Sequence, residues 1–190
     1  MLKHCTYIFL ALLCLLPSCR RHYTPKPYGY FRIDLPEHTY IPFARKGFPY
    51  SFEINRIAEV QPIDREGEKY WIDIAYPGYN AVVHCSYKHV RHNLRALTDD
   101  AVGFVFSHAI KASAIPERLY TNEEAKVSAV VFDIEGNAAT PMQFFLTDST
   151  RHFFRAALYF NNIPNQDSLA PVAGYIKADM EMLIETFRWQ

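Results

Sequence analysis

This chain has little cysteine, little glycine and no surplus of positive charge. Of its four cysteines, Cys5, Cys14 and Cys19 lie within the first 19 residues, and only Cys85 lies beyond. A lone thiol in the body of the chain excludes an intramolecular disulfide there, so packing must stabilise the fold without a covalent staple. The seven glycines form neither a dinucleotide fingerprint nor a phosphate-binding loop. A His-Glu-x-x-His zinc motif, a Gly-x-Ser-x-Gly nucleophile elbow and paired catalytic carboxylates are also missing. Lys plus Arg and Asp plus Glu both number 20, so nothing supplies the basic excess that holds nucleic acid. What the chain does have is apolar side chains at 49% and aromatic ones at 15%, a composition for a packed globular domain and against disorder.

The first 18 residues stand apart. Lys3 and His4 precede an uncharged run, Tyr7–Leu16, followed by Pro17, Ser18 and Cys19. A positive start, an apolar core and a small residue at the cut form a secretory signal. As a helix the run of 10 residues would reach about 15 Å, half of the roughly 30 Å needed to span a bilayer. No later apolar run approaches that length. The cysteine directly after the cut resembles a bacterial lipoprotein signal, with Pro17 a departure from the usual pattern. The resemblance implies cleavage between Ser18 and Cys19 and lipid attachment at Cys19, by a diacylglycerol thioether and often a further fatty chain such as palmitate. Each buried CH₂ contributes about 0.8 kcal/mol, so two or three chains anchor the product firmly in the membrane. Removing Lys3 with the leader leaves the mature chain one acid in excess. Residues 19–29, with Pro25 and Pro27, read as a stiff tether of about 30 Å. Residues 30–190 read as one domain.

Within that domain, alternation bounded by Pro, Gly and Asn predicts strands at 30–35, 50–54, 70–76 and 81–87. Val90, Leu94, Leu97, Ala101, Phe104, Val105 and His108 fall at helical spacing, as one helix or two broken at Thr98-Asp99-Asp100. A meander of strands follows at 126–134, 142–147 and 152–160. Asp167 or Ser168 would then cap a last helix with a stripe of Leu169, Val172, Ile176, Met180, Leu183, Ile184 and Phe187. The order predicts an α+β fold, a mostly antiparallel sheet with helices packed on it.

Three groups invite a chemical reading. His84, Cys85, His89 and His92 are metal-ligand types, but His84 and Cys85 would point to opposite faces of a strand, so no metal site is expected. Asp148, Ser149 and His152 are triad types, but a turn accounts for them better than a nucleophile lacking an oxyanion site. Glu117, Glu123 and Glu124 read as a solvated loop. The aromatics of the first third, including Tyr40, Phe43, Phe48, Tyr50 and Phe52, read as core, with partner contact as a second reading.

The segments 25–36 (Pro-Lys-Pro-Tyr-Gly-Tyr-Phe-Arg-Ile-Asp-Leu-Pro), 86–88, 110–115, 136–138, 143–150 (Gln-Phe-Phe-Leu-Thr-Asp-Ser-Thr), 157–160, 167–171 and the Arg188-Trp189 ending resemble the gliding motility lipoprotein GldD family of Bacteroidetes. The resemblance runs through nearly the whole mature chain. It implies a lipid-anchored envelope protein associated with the gliding machinery and the linked type IX secretion system, partnered by other envelope proteins and by the membrane through its anchor. It carries over no catalytic residue and no cofactor, only the lipidated cysteine, Cys19. The opening Phe-x-Ile-x-Leu-Pro strand and the terminal helix are also similar to the Mog1/PsbP-like α/β/α sandwich, used largely by non-enzymatic binding and assembly factors. The expectation is a non-enzymatic protein facing the periplasm, with an assembly or structural role. The alternative is a periplasm-facing ligand- or peptide-binding module.

Overall fold

The computed structural model describes residues 33–107, 111–161 and 166–190. Along the chain these form β1 (Tyr40–Ala44), β2 (Tyr50–Asn55), β3 (Glu59–Arg65), β4 (Glu68–Tyr76), a 3₁₀ turn at Pro77–Tyr79, β5 (Ala81–His89), helix α1 (Leu94–Ser107), β6 (Ala112–Ala114), β7 (Glu117–Asn122), β8 (Val127–Asp133), β9 (Glu135–Gly136), β10 (Met142–Thr147), β11 (His152–Phe160), helix α2 (Gln166–Thr186) and β12 (Arg188–Trp189). Seven strands make the main sheet, in the order β3-β4-β5-β11-β10-β8-β7. A three-stranded sheet, β1-β2-β12, and a short β6-β9 pair complete the set. All the pairings are antiparallel. The described residues therefore form the expected α+β fold.

Period-two alternation sorts the main sheet into two faces. Ile72, Ile74 and Tyr76 of β4, Val83 and Cys85 of β5, Phe154, Ala156 and Leu158 of β11 and Met142, Phe144 and Leu146 of β10 share one core. Tyr50, Phe52 and Ile54 of β2 join it, with Val172, Ile176, Met180, Leu183, Ile184 and Phe187 of α2. So α2 and the small sheet cover this face together. Phe144, Phe154, Phe187, Leu146 and Leu158 are fully buried, and each such side chain contributes about 1.5–3 kcal/mol. The opposite face carries a smaller core, in which Ala101 and Val105 of α1 meet Phe132, Ile134, Phe145 and Phe153. The helices thus lie on opposite sides of the sheet.

Several expected boundaries move. Residues 33–35 have no regular structure, whereas a strand is expected over 30–35, of which 30–32 lie outside the described residues. Pro36 removes a ladder donor there, and the following segment is held by side chains instead. Thr98-Asp99-Asp100 does not break α1, which is continuous over Leu94–Ser107. The Thr98 hydroxyl donates to the carbonyl of Arg95, inside the helix. Gln166 is already helical, so Asp167 sits in the first turn of α2 and not at a cap. There its charge still favours the positive helix end. Glu117 opens a strand, β7, and does not belong to a loop.

Gly136 is set by geometry. Its φ is +98°, and a Cβ there would lie 2.8 Å from the Lys111 carbonyl oxygen and 2.9 Å from the Ser113 nitrogen. Only glycine fits where β9 crosses so close to β6.

Candidate functional site

Cys19 and Ser18 lie outside the described residues. Three polar clusters within them are candidates for function.

The deepest centres on Asp179 of α2, which is 3% exposed. It falls on the apolar stripe between Ile176 and Leu183, so folding drives it into the core. Its carboxylate accepts from Asn55 Nδ2 at 3.0 and 3.1 Å and from the Tyr76 hydroxyl at 3.0 Å. His38 Nδ1 donates to Asp179 Oδ1 at 2.7 Å. A carboxylate is acceptor-only, which fixes the proton on that nitrogen. Asn55 Nδ2 also reaches the Tyr175 hydroxyl at 2.8 Å, and the His38 ring stacks on Tyr175 at 4.1 Å. Burial, then the Asp179 charge, push the Tyr76 hydroxyl well above the usual phenol range. The arrangement can hold a negative charge and orient a histidine. The hollow beside it has a volume of only about 10 Å³, too small for a substrate. The cluster clamps the segment before β1 onto α2.

The second cluster holds the triad-type residues. Asp148 Oδ1 accepts from the backbone N–H groups of Thr150, Arg151 and His152 at 2.8–3.0 Å, and Oδ2 accepts from the Thr150 hydroxyl. Burial pushes this carboxyl up, but those donors outweigh it and hold it at about 2. Asp148 thus bonds the backbone of His152 and not its ring. The ring nitrogen Nδ1 meets the Tyr87 hydroxyl at 2.7 Å, and the ring stacks on Trp189. Ser149 is exposed at the turn with φ +64°. Among the described residues no hydrogen bond joins its hydroxyl to His152, so the three do not form a relay. They tie the β10–β11 turn together.

The metal-type residues are likewise dispersed. His84 faces the α1 side and its Nδ1 pairs with Asp73 Oδ1 at 2.7 Å. Cys85 points into the opposite core, and burial pushes its thiol well above the ordinary value. His89 Nδ1 lies 3.2 Å from the Tyr87 hydroxyl. Among the described residues, no three His, Cys, Asp or Glu side chains converge on a metal position.

The third cluster is a groove. Helix α1 covers the β8, β10 and β11 part of its sheet face and leaves the β3, β4 and β5 part open. Between them lies a hollow of about 730 Å³. Trp71 of β4 and Phe153 of β11 form its walls, and Leu97, Ala101 and Phe104 of α1 close one side. Trp71 is fixed by its Nε1, which donates to the Tyr87 carbonyl at 3.1 Å, and Lys88 lies over its ring at 5.3 Å. Lys88 Nζ is also bound to Glu68 Oε2 at 2.6 Å. Arg155 is the one charged side chain within β11, and it sits in the groove, half-buried. Its Nη2 donates to Gln143 Oε1 at 2.5 Å, and Phe104 lies 4.6 Å from the guanidinium carbon. Burial lowers the Arg155 pKa from its ordinary value, but a guanidinium remains charged at neutral pH. Gln143 is 1% exposed, and its Nε2 has no acceptor among the described residues. This buried pair thus retains an unmet donor, at a cost of about 1–3 kcal/mol.

The early aromatics do not build this groove. Phe43 and Tyr50 stack on Phe52, and Phe48 meets Phe43 and Tyr50 edge-on, in and around the other core. Asp179 and Arg155 were missed by pattern reading, yet both had a signal. Each is a charge at a position where the apolar period calls for burial.

Comparison with known proteins fits this geometry. The family model for the gliding motility lipoprotein GldD matches residues 20–189. This chain belongs to the GldD family. That membership makes it a lipoprotein connected with gliding motility and places it at the membrane of the cell envelope. No curated protein matches it. Among solved structures, the GldD-family chain is similar to cyanobacterial PsbP (CyanoP) from Synechocystis sp. PCC 6803, with a TM-score of 0.50 and 9% identity. The match covers 87% of this chain and 100% of that one. At that identity the likeness establishes the fold alone, a PsbP-like sandwich.

Proposed function

We propose that this chain is a non-enzymatic envelope lipoprotein with an assembly or structural role in the gliding and type IX secretion machinery. Residues 1–18 are the signal peptide, Cys19 carries the lipid, residues 19–29 are the tether, and residues 30–190 are a single domain facing the periplasm. The observation that carries this reading is the family match, which starts at residue 20, directly after the cysteine. Among the described residues, the Asp179 and Asp148 clusters are taken up in binding elements of the fold to one another. Crosslinking in cells, followed by purification of the chain and mass spectrometry, tests both halves. The expected result is an acylated N-terminal Cys19 and crosslinks to other envelope proteins. A free thiol at Cys19 overturns the anchor, and recovery without any envelope partner overturns the assembly role. A second reading, a periplasm-facing ligand- or peptide-binding module, draws support from the open groove beside α1.

A further inference from the structure

The groove has a charge without a counter-ion. Lys88 is bound by Glu68, and Asp73 by His84. Arg155 has only neutral partners among the described residues: the Gln143 amide, the Phe104 ring and the Tyr159 hydroxyl. Removing a guanidinium from water without an anion is costly. The fold nevertheless places it inside a hollow of ligand size, since pockets for small molecules run to roughly 300–1,000 Å³. The rest of the lining narrows the occupant. Trp71, Phe104 and Phe153 line the groove with aromatic surface, and Phe104 lies against the cation. Asp64, Asp73 and Asp100 of the lining offset Arg65, Lys88 and Arg155, so the groove has no net positive charge to hold a doubly charged group such as a phosphate monoester. A single negative charge on a planar, two-oxygen group matches the guanidinium fork and the local charge together.

We propose that the groove between α1 and strands β3–β5 is a binding site for a carboxylate carried on an apolar or aromatic body, held by Arg155 between Trp71 and Phe104. The carboxylate belongs either to a free organic acid or to the C-terminus of a peptide. Arg155 binds it through the guanidinium donors not used by Gln143. Ser86, paired with Arg155 on the neighbouring strand and lining the same groove, supplies a neutral donor. Trp71 and Phe104 take the apolar body. This proposal rests on the binding-module reading.

The test is nuclear magnetic resonance of the full chain in detergent micelles, following the Trp71 indole N–H and the backbone amides of Ser86, Lys88 and Ala101. Three probes are titrated: N-acetylphenylalanine, its C-terminal amide, and a hexapeptide ending in phenylalanine with a free C-terminus. The expected result is saturable shifts of those signals with the free acid, and binding at least tenfold weaker with the amide. Arg155→Gln is expected to remove the preference for the acid over the amide. The comparison of acid with amide needs no variant, so it stands even if Arg155→Gln misfolds. Tighter binding of the hexapeptide assigns the carboxylate to a peptide terminus, and weaker binding assigns it to a small acid. Equal binding of acid and amide at the groove overturns the carboxylate and leaves the binding module standing. Absence of saturable shifts from all three probes overturns both.

Discussion

Replacing Asp179 with alanine is the sharpest perturbation of this fold. The carboxylate is 3% exposed and receives Asn55, Tyr76 and His38 from three different parts of the chain. Removing it strands Asn55, itself 1% exposed, and Tyr76, 3% exposed. Asn55 keeps the Tyr175 hydroxyl as a partner, so its loss is partial. A buried donor left unpaired costs about 1–3 kcal/mol, and deleting one partner of a buried charged network typically costs about 3–5 kcal/mol. With a urea dependence of about 2 kcal/mol per molar for a domain of this size, the midpoint should fall by about 1.5–2.5 M. Asp179→Asn keeps the shape and an acceptor oxygen, and should cost less than half as much. Asp179→Leu fills the space and still strands the donors, so it should not recover the wild-type midpoint. The assay is urea unfolding followed by far-ultraviolet circular dichroism at neutral pH. An alanine variant within about 1 kcal/mol of wild type, or a leucine variant more stable than wild type, would refute the view that these donors depend on Asp179.

Three further outcomes are expected. Asp148 is held at about 2 in the folded chain against about 3.9 unfolded, so its contribution is present above pH 4 and fades as pH falls towards 2. Asp148→Asn should therefore flatten the acid limb of the stability profile in that window, and an unchanged limb in urea midpoints between pH 2 and 5 would count against it. Gly136→Ala should destabilise the β6–β9 pair by several kcal/mol, because its Cβ meets backbone atoms at 2.8 and 2.9 Å at a left-handed φ; hydrogen exchange at Ala112 and Ala114 should quicken, and an unchanged exchange rate would contradict the packing. Cys85 is buried with a raised thiol pKa, so alkylating reagents should label it only on unfolding; rapid labelling of the native chain would mean that β5 opens.

Pattern reading recovered the interior of the sheet and missed its borders. The expected strand at 142–147 matches β10, and 152–160 matches β11, because both are flanked by partners and their apolar content is high on both faces. The strands overlooked were β1, β3, β6, β7, β9 and β12. All six are edge strands in their sheets. β1 and β3 contain Pro42 and Pro62, which argue against a central strand and are admitted at an edge, where one side needs no ladder partner. In β7 only Tyr120 and Asn122 are even half-buried, and Leu119 is 77% exposed, so alternation gives almost no signal. The polar clusters were hidden for another reason. His38 and Asp179 lie 141 residues apart, and no local pattern joins them. Each could be recognised only as an exception, a charge set on an apolar stripe.

The two faces of the main sheet are built to different ends. On the α2 side the large apolar residues of the sheet and the helix share one core, and even the buried carboxylate is met by donors. That side also receives the segment from Ile33 to Thr39, which leads into β1 and is fastened by His38 to Asp179 and by Tyr79 to the Asp34 carbonyl. The α1 side has the opposite character. Its core is small, its helix covers only part of the sheet, and it leaves Phe104 and Phe106 more than half exposed. Isolated exposed aromatics need no explanation, but one that stacks on a half-buried guanidinium beside an open groove does. The packed face thus fixes the segment before β1, while the incompletely covered face holds the groove proposed above as a carboxylate site.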